Sequence, residues 1–425
     1  MYSFIRSIAA TSLGEAHDPI AEYIEEGKVI GIQTSGIRGR MGQVVSEGKL
    51  KTPAIIRSHG GRPRAIEAGE VHIDIAFVAA PTSDCVGNCR GIGGKSNCGS
   101  MGYAMTDAKY ADHVVVVTDC LVDFPNMPAS VEAIDVDAVV VVDSIGNPKK
   151  IASAAARISQ NPRDLMMAED VAKVIASTPY FKEGFSFQTG AGGASLAAAA
   201  SLKEIMLREH IHGSFALGGI TGYLVEMLRA GCFRQLMDVQ CFDLDAVASI
   251  RDDPRHREIS ANHYAGPGAR GAVVDSLDVV ILGATEIDTD FNVNVHTDSN
   301  GCLMGGSGGH TDAAAGAKLT MILAPLVRAR LPIVTDRVTC ISTPGSSIDV
   351  LVTQRGIAVN PLRPELAGKL RQAGLPVVDI HDLKARAEAI TGVPKRVPRG
   401  SQAVAQVLGR DGSLQDTVWN LPEEL

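Results

Sequence analysis

No run of apolar residues in the chain approaches the ~18 needed to cross a bilayer. The opening stretch, Met1 to Asp18, likewise lacks the continuous apolar core and cleavage site of a secretory signal. Together these absences lead to the expectation of a cytoplasmic protein. Cysteine is sparse. Its eight positions, Cys85, Cys89, Cys98, Cys120, Cys232, Cys241, Cys302 and Cys340, are too scattered in 425 residues for a disulfide framework and are expected to be reduced, mostly as small core residues. Basic charge is short as well: the formal net charge is −8 with no cationic stripe, which excludes a nucleic-acid partner. Aromatic residues make up only 4%, so the core has to be built from Val, Ile, Leu and Ala.

What is present fits a folded α/β protein. Apolar residues reach 45% and charged residues 21%, the balance of an ordinary globular chain, and 44 glycines provide for tight turns. A chain of 425 residues exceeds one compact core and suits two units. Continuous β-branched runs predict buried parallel strands at Val29–Ile32, Ile73–Val78, His113–Thr118, Val136–Val142, Leu277–Leu282 and Ile348–Thr353. Helices are predicted at Ser195–Arg208, Ala313–Arg328, Pro364–Ala373 and His381–Thr391, each after a capping signal. Strands alternating with helices point to parallel sheets with crossover helices. Gln402–Leu408 and Leu414–Trp419, separated by an Asp411-Gly412 turn, read as a hairpin at a sheet edge.

The chain also echoes itself. Asp74, Ala80, Asp84 and Asn88 recur as Asp278, Ala284, Asp288 and Asn292, every pair 204 positions apart around a shared apolar strand. Two related units, 1–184 and 185–425 with the C-terminal hairpin in the second, are therefore expected, the boundary falling where Pro179 and Gly184 interrupt the helical pattern.

Two Gly-rich turns run into helices, Thr189-Gly190-Ala191-Gly192-Gly193-Ala194-Ser195 and Gly305-Gly306-Ser307-Gly308-Gly309-His310-Thr311-Asp312. Free amides and the dipole at a helix N-terminus suit a phosphate, a carboxylate or an oxyanion. Neither turn matches a phosphate loop or a dinucleotide fingerprint, and the alternative reading is a packing device with Asp312 as a plain N-cap. Arginines cluster at Arg38 and Arg40 after Ser35-Gly36, and at Arg62 and Arg64 after Ser58-His59-Gly60; guanidinium forks suit a di- or tricarboxylate, the alternative being structural ion pairs. His59 and His310 are candidates for proton transfer, or else satisfied structural histidines. No metal is expected: Asp288-x-Asp290-x-Asn292 lacks the Gly and Glu of a calcium loop, and Cys85, Cys89 and Cys98 lack zinc spacing.

Across the chain, SGIRG, IRSHGGRPRAIEAGEVHIDIAFVAAPT, GKSNCG, VDFPN, QTGAGGASLA, FALGGITG, ISANHYA, EIDTDFNVNV, GGHTDAAAGAKL, TPGSSIDVLVT and GIAVNPLRPEL resemble, in order, the citrate lyase alpha subunits of the class I CoA-transferase superfamily. The resemblance implies two tandem CoA-transferase-like α/β units with mainly parallel sheets. It implies exchange of acetyl for citryl on a thiol, with no permanently bound cofactor, a CoA or phosphopantetheine thioester as substrate, and beta and acyl-carrier gamma subunits as partners. On this reading Gly190, Gly192, Gly193, Gly218, Gly219 and His310 serve the reaction, while Arg38, His59, Arg62, Arg64, Asn292 and Asn294 hold citrate. The Ser-Glu-Asn-Gly glutamate of many CoA-transferases is replaced here by Phe215-Ala216-Leu217-Gly218-Gly219, which implies direct attack by the citrate carboxylate through a mixed anhydride. The family also carries an N-terminal segment with a His-rich motif ahead of the region matching Ser7 onward, so the first unit is expected without its leading strand and helix. The alternatives are a transferase or thioester hydrolase for another short acid, and a docking subunit without activity.

Overall fold

The computed structural model describes residues 7–9, 12–151, 157–395 and 397–422. Three short parallel strands come first, β1 (Ser7–Ala9), β2 (Gly31–Thr34) and β3 (Ala54–Ile56), joined by α1 (Asp18–Glu25) and α2 (Gly39–Ser46). Helix α3 (Gly61–Glu67) leads to a second parallel sheet of β4 (Ile75–Ala80), β5 (His113–Thr118) and β6 (Ala138–Val141), with α4 (Ala104–Tyr110) ahead of β5. After α5 (Pro162–Ala176) a larger sheet begins with β7 (Phe187–Thr189), α6 (Gly193–Glu209), β8 (Gly213–Ile220), α7 (Gly222–Arg229), β9 (Phe233–Cys241), α8 (Leu244–Asp252) and β10 (His256–Glu258). It continues through α9 (Ala261–Ala265), β11 (Val279–Leu282), α10 (His310–Gly316), β12 (Leu319–Leu323), β13 (Val350–Thr353) and β14 (Gly356–Val359). Helix α11 (Pro364–Gln372), β15 (Val377–Val378) and α12 (Ile380–Thr391) complete it, in strand order β10-β9-β8-β7-β11-β12-β13-β14-β15. All its pairings are parallel except β13 with β14. No described helix is long and apolar enough to cross a membrane.

The continuous apolar runs are strands because they are covered on both faces. All residues of β11, β12 and β13 are buried, with α5 and α6 on one side and a second core around Tyr264, Ala313 and Leu383 on the other. The expected helix over Ala313–Arg328 is a correction: α10 stops at Gly316, and Leu319–Leu323 is strand β12. A short apolar run buried on every side carries no period, so the pattern could not separate the two states.

The hairpin is present, as β16 (Ala403–Leu408) and β17 (Leu414–Trp419), but it does not join the second unit. Strand β16 pairs parallel with β3, giving the order β1-β2-β3-β16-β17. Likewise α5, which precedes residue 184, packs through Met167, Val171 and Ile175 into the core of the large sheet. Two segments therefore cross the division expected at 184/185.

The self-similarity is structural. Ile75 pairs with His113 as Val279 pairs with Leu319, and Val115 pairs with Ala138 as Met321 pairs with Val350. The Asp84 carboxylate takes the Asn88 amide and side chain and the Asn126 amide; Asp288 takes those of Asn292 and the amide of Val338. Helices α1 and α7 lie 204 positions apart. Each element from β1 to β3 thus has a counterpart from β8 to β10, and β4-β5-β6 corresponds to β11-β12-β13.

Candidate active site

Parallel α/β sheets bind ligands at the carboxyl ends of their strands, where the connecting turns open. Here β7, β8 and β11 are neighbours, and their carboxyl ends present Gly190 to Gly193, Gly218 with Gly219, and Gly283. The Gly190 N–H is committed to the Ile281 carbonyl (3.2 Å), so it is not a donor for a ligand. Among the described residues the N–H groups of Gly192 and Gly193, at the head of the 17-residue α6, have no protein acceptor. Gly218 sits at a register shift with φ +105°, a conformation a side chain would strain, and a Cβ on Gly219 would collide with the Phe242 ring.

The second Gly-rich turn seals against the N-terminal residues. Gly305 O accepts from Ile37 N (3.0 Å), Gly308 O accepts from His59 N (2.9 Å), and Gly306 meets Gly36 so closely that a Cβ on it would strike the Ser35 carbonyl. Asp312 is no simple N-cap. Fully buried, its carboxylate accepts from the Ser58 hydroxyl (2.7 Å) and the Gly60 amide (2.9 Å), tying α10 to the turn that leads into α3. Burial pushes its carboxyl up to about 6 against these two bonds.

Around this seam His59 Nδ1 bonds the Tyr103 hydroxyl (2.8 Å), and burial, with Arg62 nearby, pushes the imidazole down to about 3. Ser35, His59, Arg62, Pro63, Tyr103, Thr106 and Ala261 line a small hollow. Gln188 donates to the Tyr264 hydroxyl (2.9 Å), which reaches Gly309 O (3.5 Å); the Gln188 side chain also lies beneath Gly218. This chain of contacts joins the β8 bulge to the His59 seam. A larger cavity of about 420 Å³, lined by Arg337, Lys395, Arg399 and Trp419 among others, holds none of the sequence-predicted residues.

The other predicted residues divide. Arg38, exposed at the head of α2, has no carboxylate partner among the described residues. Arg62 is buried and paired with Asp107 through two contacts of 2.7 and 2.9 Å, and Arg64 is paired with Glu70 (2.6 Å). Asn292 is used by Asp288 and the Gly345 amide. Asn294 is used by Glu286, Thr297 and the His296 amide. For His310, Nε2 bonds the Gly283 carbonyl (2.9 Å), so that nitrogen carries the proton and Nδ1 accepts from Thr343 (2.8 Å). Burial pushes its imidazole down to about 4.

Sequence reasoning missed Tyr103, Gln188, Tyr264, Asp107 and the bridging role of Asp312. Tyr264 and Gln188 lay inside quoted motifs, but nothing in one sequence says that their polar tips meet across 76 positions. It also missed the buried group of Asp238, Cys241 and His256, whose donor atoms lie within 4.8 Å of one another; His256 bonds Asp238 (2.9 Å) and Ser249 (3.0 Å).

Comparison with known proteins matches these features to one family. The family model "Citrate lyase, alpha subunit (CitF)" aligns with residues 5–421. The citrate lyase alpha chain of Klebsiella pneumoniae is 50% identical over 412 residues, covering 97% of this chain and 81% of its own length. That of Escherichia coli K12 is 49% identical over 417 residues, covering 98% and 82%. A crystal structure of the citrate lyase alpha subunit from Streptococcus mutans in complex with citrate superposes with a TM-score of 0.96 at 50% identity, over 98% of this chain and 82% of that one. A 4-hydroxybutyrate CoA-transferase from Porphyromonas gingivalis shares the fold alone, at TM-score 0.53 and 16% identity, over 87% and 95%. With nearly every residue aligned at half identity and the same fold, the chain belongs to the citrate lyase alpha subunit family.

Proposed function

We propose that the chain exchanges acetyl for citryl on a thiol of CoA or of an acyl carrier protein, at the seam where Gly218, Gln188 and Tyr264 lead to Gly308, Gly309 and His59. The citrate carboxylate attacks the acetyl thioester carbonyl and expels the thiolate, leaving a mixed anhydride. The thiolate then attacks the citryl carbonyl and expels acetate. Both nucleophiles belong to the substrates, so the protein has to position them, exclude water and stabilise two oxyanions. The carrying observation is the pair of amides at Gly192 and Gly193 that have no acceptor among the described residues, at a helix start beside the carboxyl edge of the sheet. Arg38 is the cation we assign to citrate, since Arg62 and Arg64 already hold carboxylates. Within a multi-subunit lyase, the acyl-carrier gamma subunit supplies the thiol for this exchange and the beta subunit consumes the citryl thioester it makes.

The test uses the local backbone. Gly192 has φ −69°, the value proline prefers, and nothing lies where its Cβ would go. Gly192→Pro therefore removes one N–H with little else changed, and Gly192→Ala is the control. In citrate-dependent acetate release from an acetyl thioester, the proline variant is expected to lose ~100-fold in kcat with an unchanged melting temperature, while the alanine variant stays near wild type. Equal activity of the two removes the oxyanion assignment, and release driven as well by other short acids as by citrate removes the substrate.

A further inference from the structure

An irregularity in one strand gathers three buried side chains at the β10 edge of the large sheet. Asp238 and Cys241 both lie on β9, and three positions of regular strand would turn them to opposite faces. Against β8 the register slips: Gly218 pairs with Asp238 and Gly219 with Gln240, so Val239 is an extra residue and the two side chains share a face. His256 opens the neighbouring strand β10 opposite Leu236, on that same face. Asp238 is 0% exposed, His256 3% and Cys241 4%.

The thiol, imidazole and carboxylate offer donor atoms within 4.8 Å of one another, the spread that ligands about 2.0–2.3 Å from one ion would have. Asp238 Oδ2 takes both contacts, from Cys241 Sγ (2.9 Å) and from His256 Nε2 (2.9 Å). The other oxygen, Oδ1, has no hydrogen-bond partner among the described residues, although no part of Asp238 reaches solvent. A buried carboxylate oxygen left without a donor is costly, and a cation would satisfy it. Behind His256, the Ser249 hydroxyl of α8 bonds Nδ1 (3.0 Å) and fixes the ring, as the outer partners of metal-bound histidines do. Charge agrees as well: a thiolate, a carboxylate and a neutral imidazole around a divalent ion sum to zero, which suits a buried position.

We propose that Asp238, Cys241 and His256 bind one divalent ion of borderline softness, zinc by preference, as a structural centre joining β9 to β10. Binding sends the Cys241 thiol proton to solvent and moves the imidazole proton from Nε2 to Nδ1, where it donates to Ser249 Oγ while Nε2 takes the ion. Three protein ligands leave the fourth tetrahedral position to a water. The centre lies under the loop that leads into α4. There the Ser100 hydroxyl donates to the Asp238 carbonyl (3.0 Å), Glu258 of β10 accepts from Met101 N and the Ser130 hydroxyl, and Ala261 N donates to Gly102 O (2.9 Å). A fixed β9–β10 edge thus sets Tyr103 against His59, and the binding itself needs nothing from the exchange reaction.

The probe is the metal alone. The untagged chain is produced in minimal medium with zinc or cobalt(II) as the only added transition metal and then gel-filtered. Elemental analysis is expected to find about one zinc per chain, and the cobalt form to show thiolate-to-cobalt charge transfer with the strong visible bands of a tetrahedral site. Cys241→Ser is expected to abolish the charge transfer and to weaken zinc at least ~100-fold in competition with a chromogenic chelator. Ser249→Ala, which removes only the outer partner of His256, is expected to weaken zinc ~10-fold. Cys232→Ala, at a buried cysteine outside the group, is expected to change neither signal. The site is refuted if the wild-type chain carries no zinc and shows no charge transfer, or if the charge transfer persists in Cys241→Ser. Should Cys241→Ser fail to fold, Ser249→Ala decides, and an unchanged zinc affinity there overturns the assignment.

Discussion

Arg62 shows how residue type and residue role separate. The Arg62 and Arg64 cluster was legible as a carboxylate partner, and the structure supplies the carboxylates from within, Asp107 and Glu70. No sequence rule places Asp107 opposite Arg62, because they sit on different helices, α4 and α3. Removing one member of a buried pair strands the other. Arg62→Ala is accordingly expected to destabilise the fold by about 3 kcal/mol in denaturant titration. Arg38→Ala, at an exposed site, is expected to raise the citrate KM ~10-fold with stability unchanged, and the opposite pattern for the two arginines would reverse their assigned roles.

Protonation acts in two directions at this scale. His296 is fully buried, with Ser307 N donating to Nε2 and Nδ1 bonded to Ser342, and burial pushes it down to about 3; His310 is held at about 4. Unfolding lets both take protons below pH ~6.5, so their contribution is full above that pH and falls away as pH drops, by up to ~1.4 kcal/mol per unit for each. Asp312, raised to about 6, has the opposite sign: the native state holds its proton more tightly, and that stabilisation is lost as pH rises from ~4 through 6. Asp312→Asn is therefore expected to steepen the rise of stability between pH 4 and 6 by up to ~1.4 kcal/mol per unit. Identical slopes in urea titrations of the two proteins would show that Asp312 does not titrate in this window.

Among elements, legibility followed periodicity and punctuation. The strand His113–Thr118 was placed to the residue, and the helices at 195, 364 and 381 fell within two residues, because each has a capping signal or a clean apolar boundary. Residues 313–328 failed because an Ala-rich helix start runs into a buried strand with no turn residue except Gly316. The Gly-rich turns were visible as turns, but their differences were not: Gly192 has room for a side chain and an amide without an acceptor among the described residues, while Gly219 and Gly306 allow close approach. If the Phe242 ring is what forbids a side chain at 219, Gly219→Ala should cost ~1–3 kcal/mol and Phe242→Leu should recover much of it. Additive losses in that double-mutant cycle would put the strain elsewhere.

For the whole molecule, the duplication was readable from four matched residues, since the Asp and Asn that close each turn must keep their spacing to the strand they follow. What could not be read is how the parts exchange segments. α5 precedes the expected boundary yet covers the second sheet, and the last hairpin closes the first. Pairing partners hundreds of positions apart leave no local trace, because a strand's period states which face is buried and never against which neighbour.

That last pairing sets an order of events during synthesis. Strand β16 lies against β3 some 350 positions upstream, so that side of the opening sheet stays uncovered until those intervening residues have been made. Until then the edge of Ala54–Ile56 turned away from β2 is open in a crowded solution, and a chaperone that shields nascent chains has its longest task on this strand.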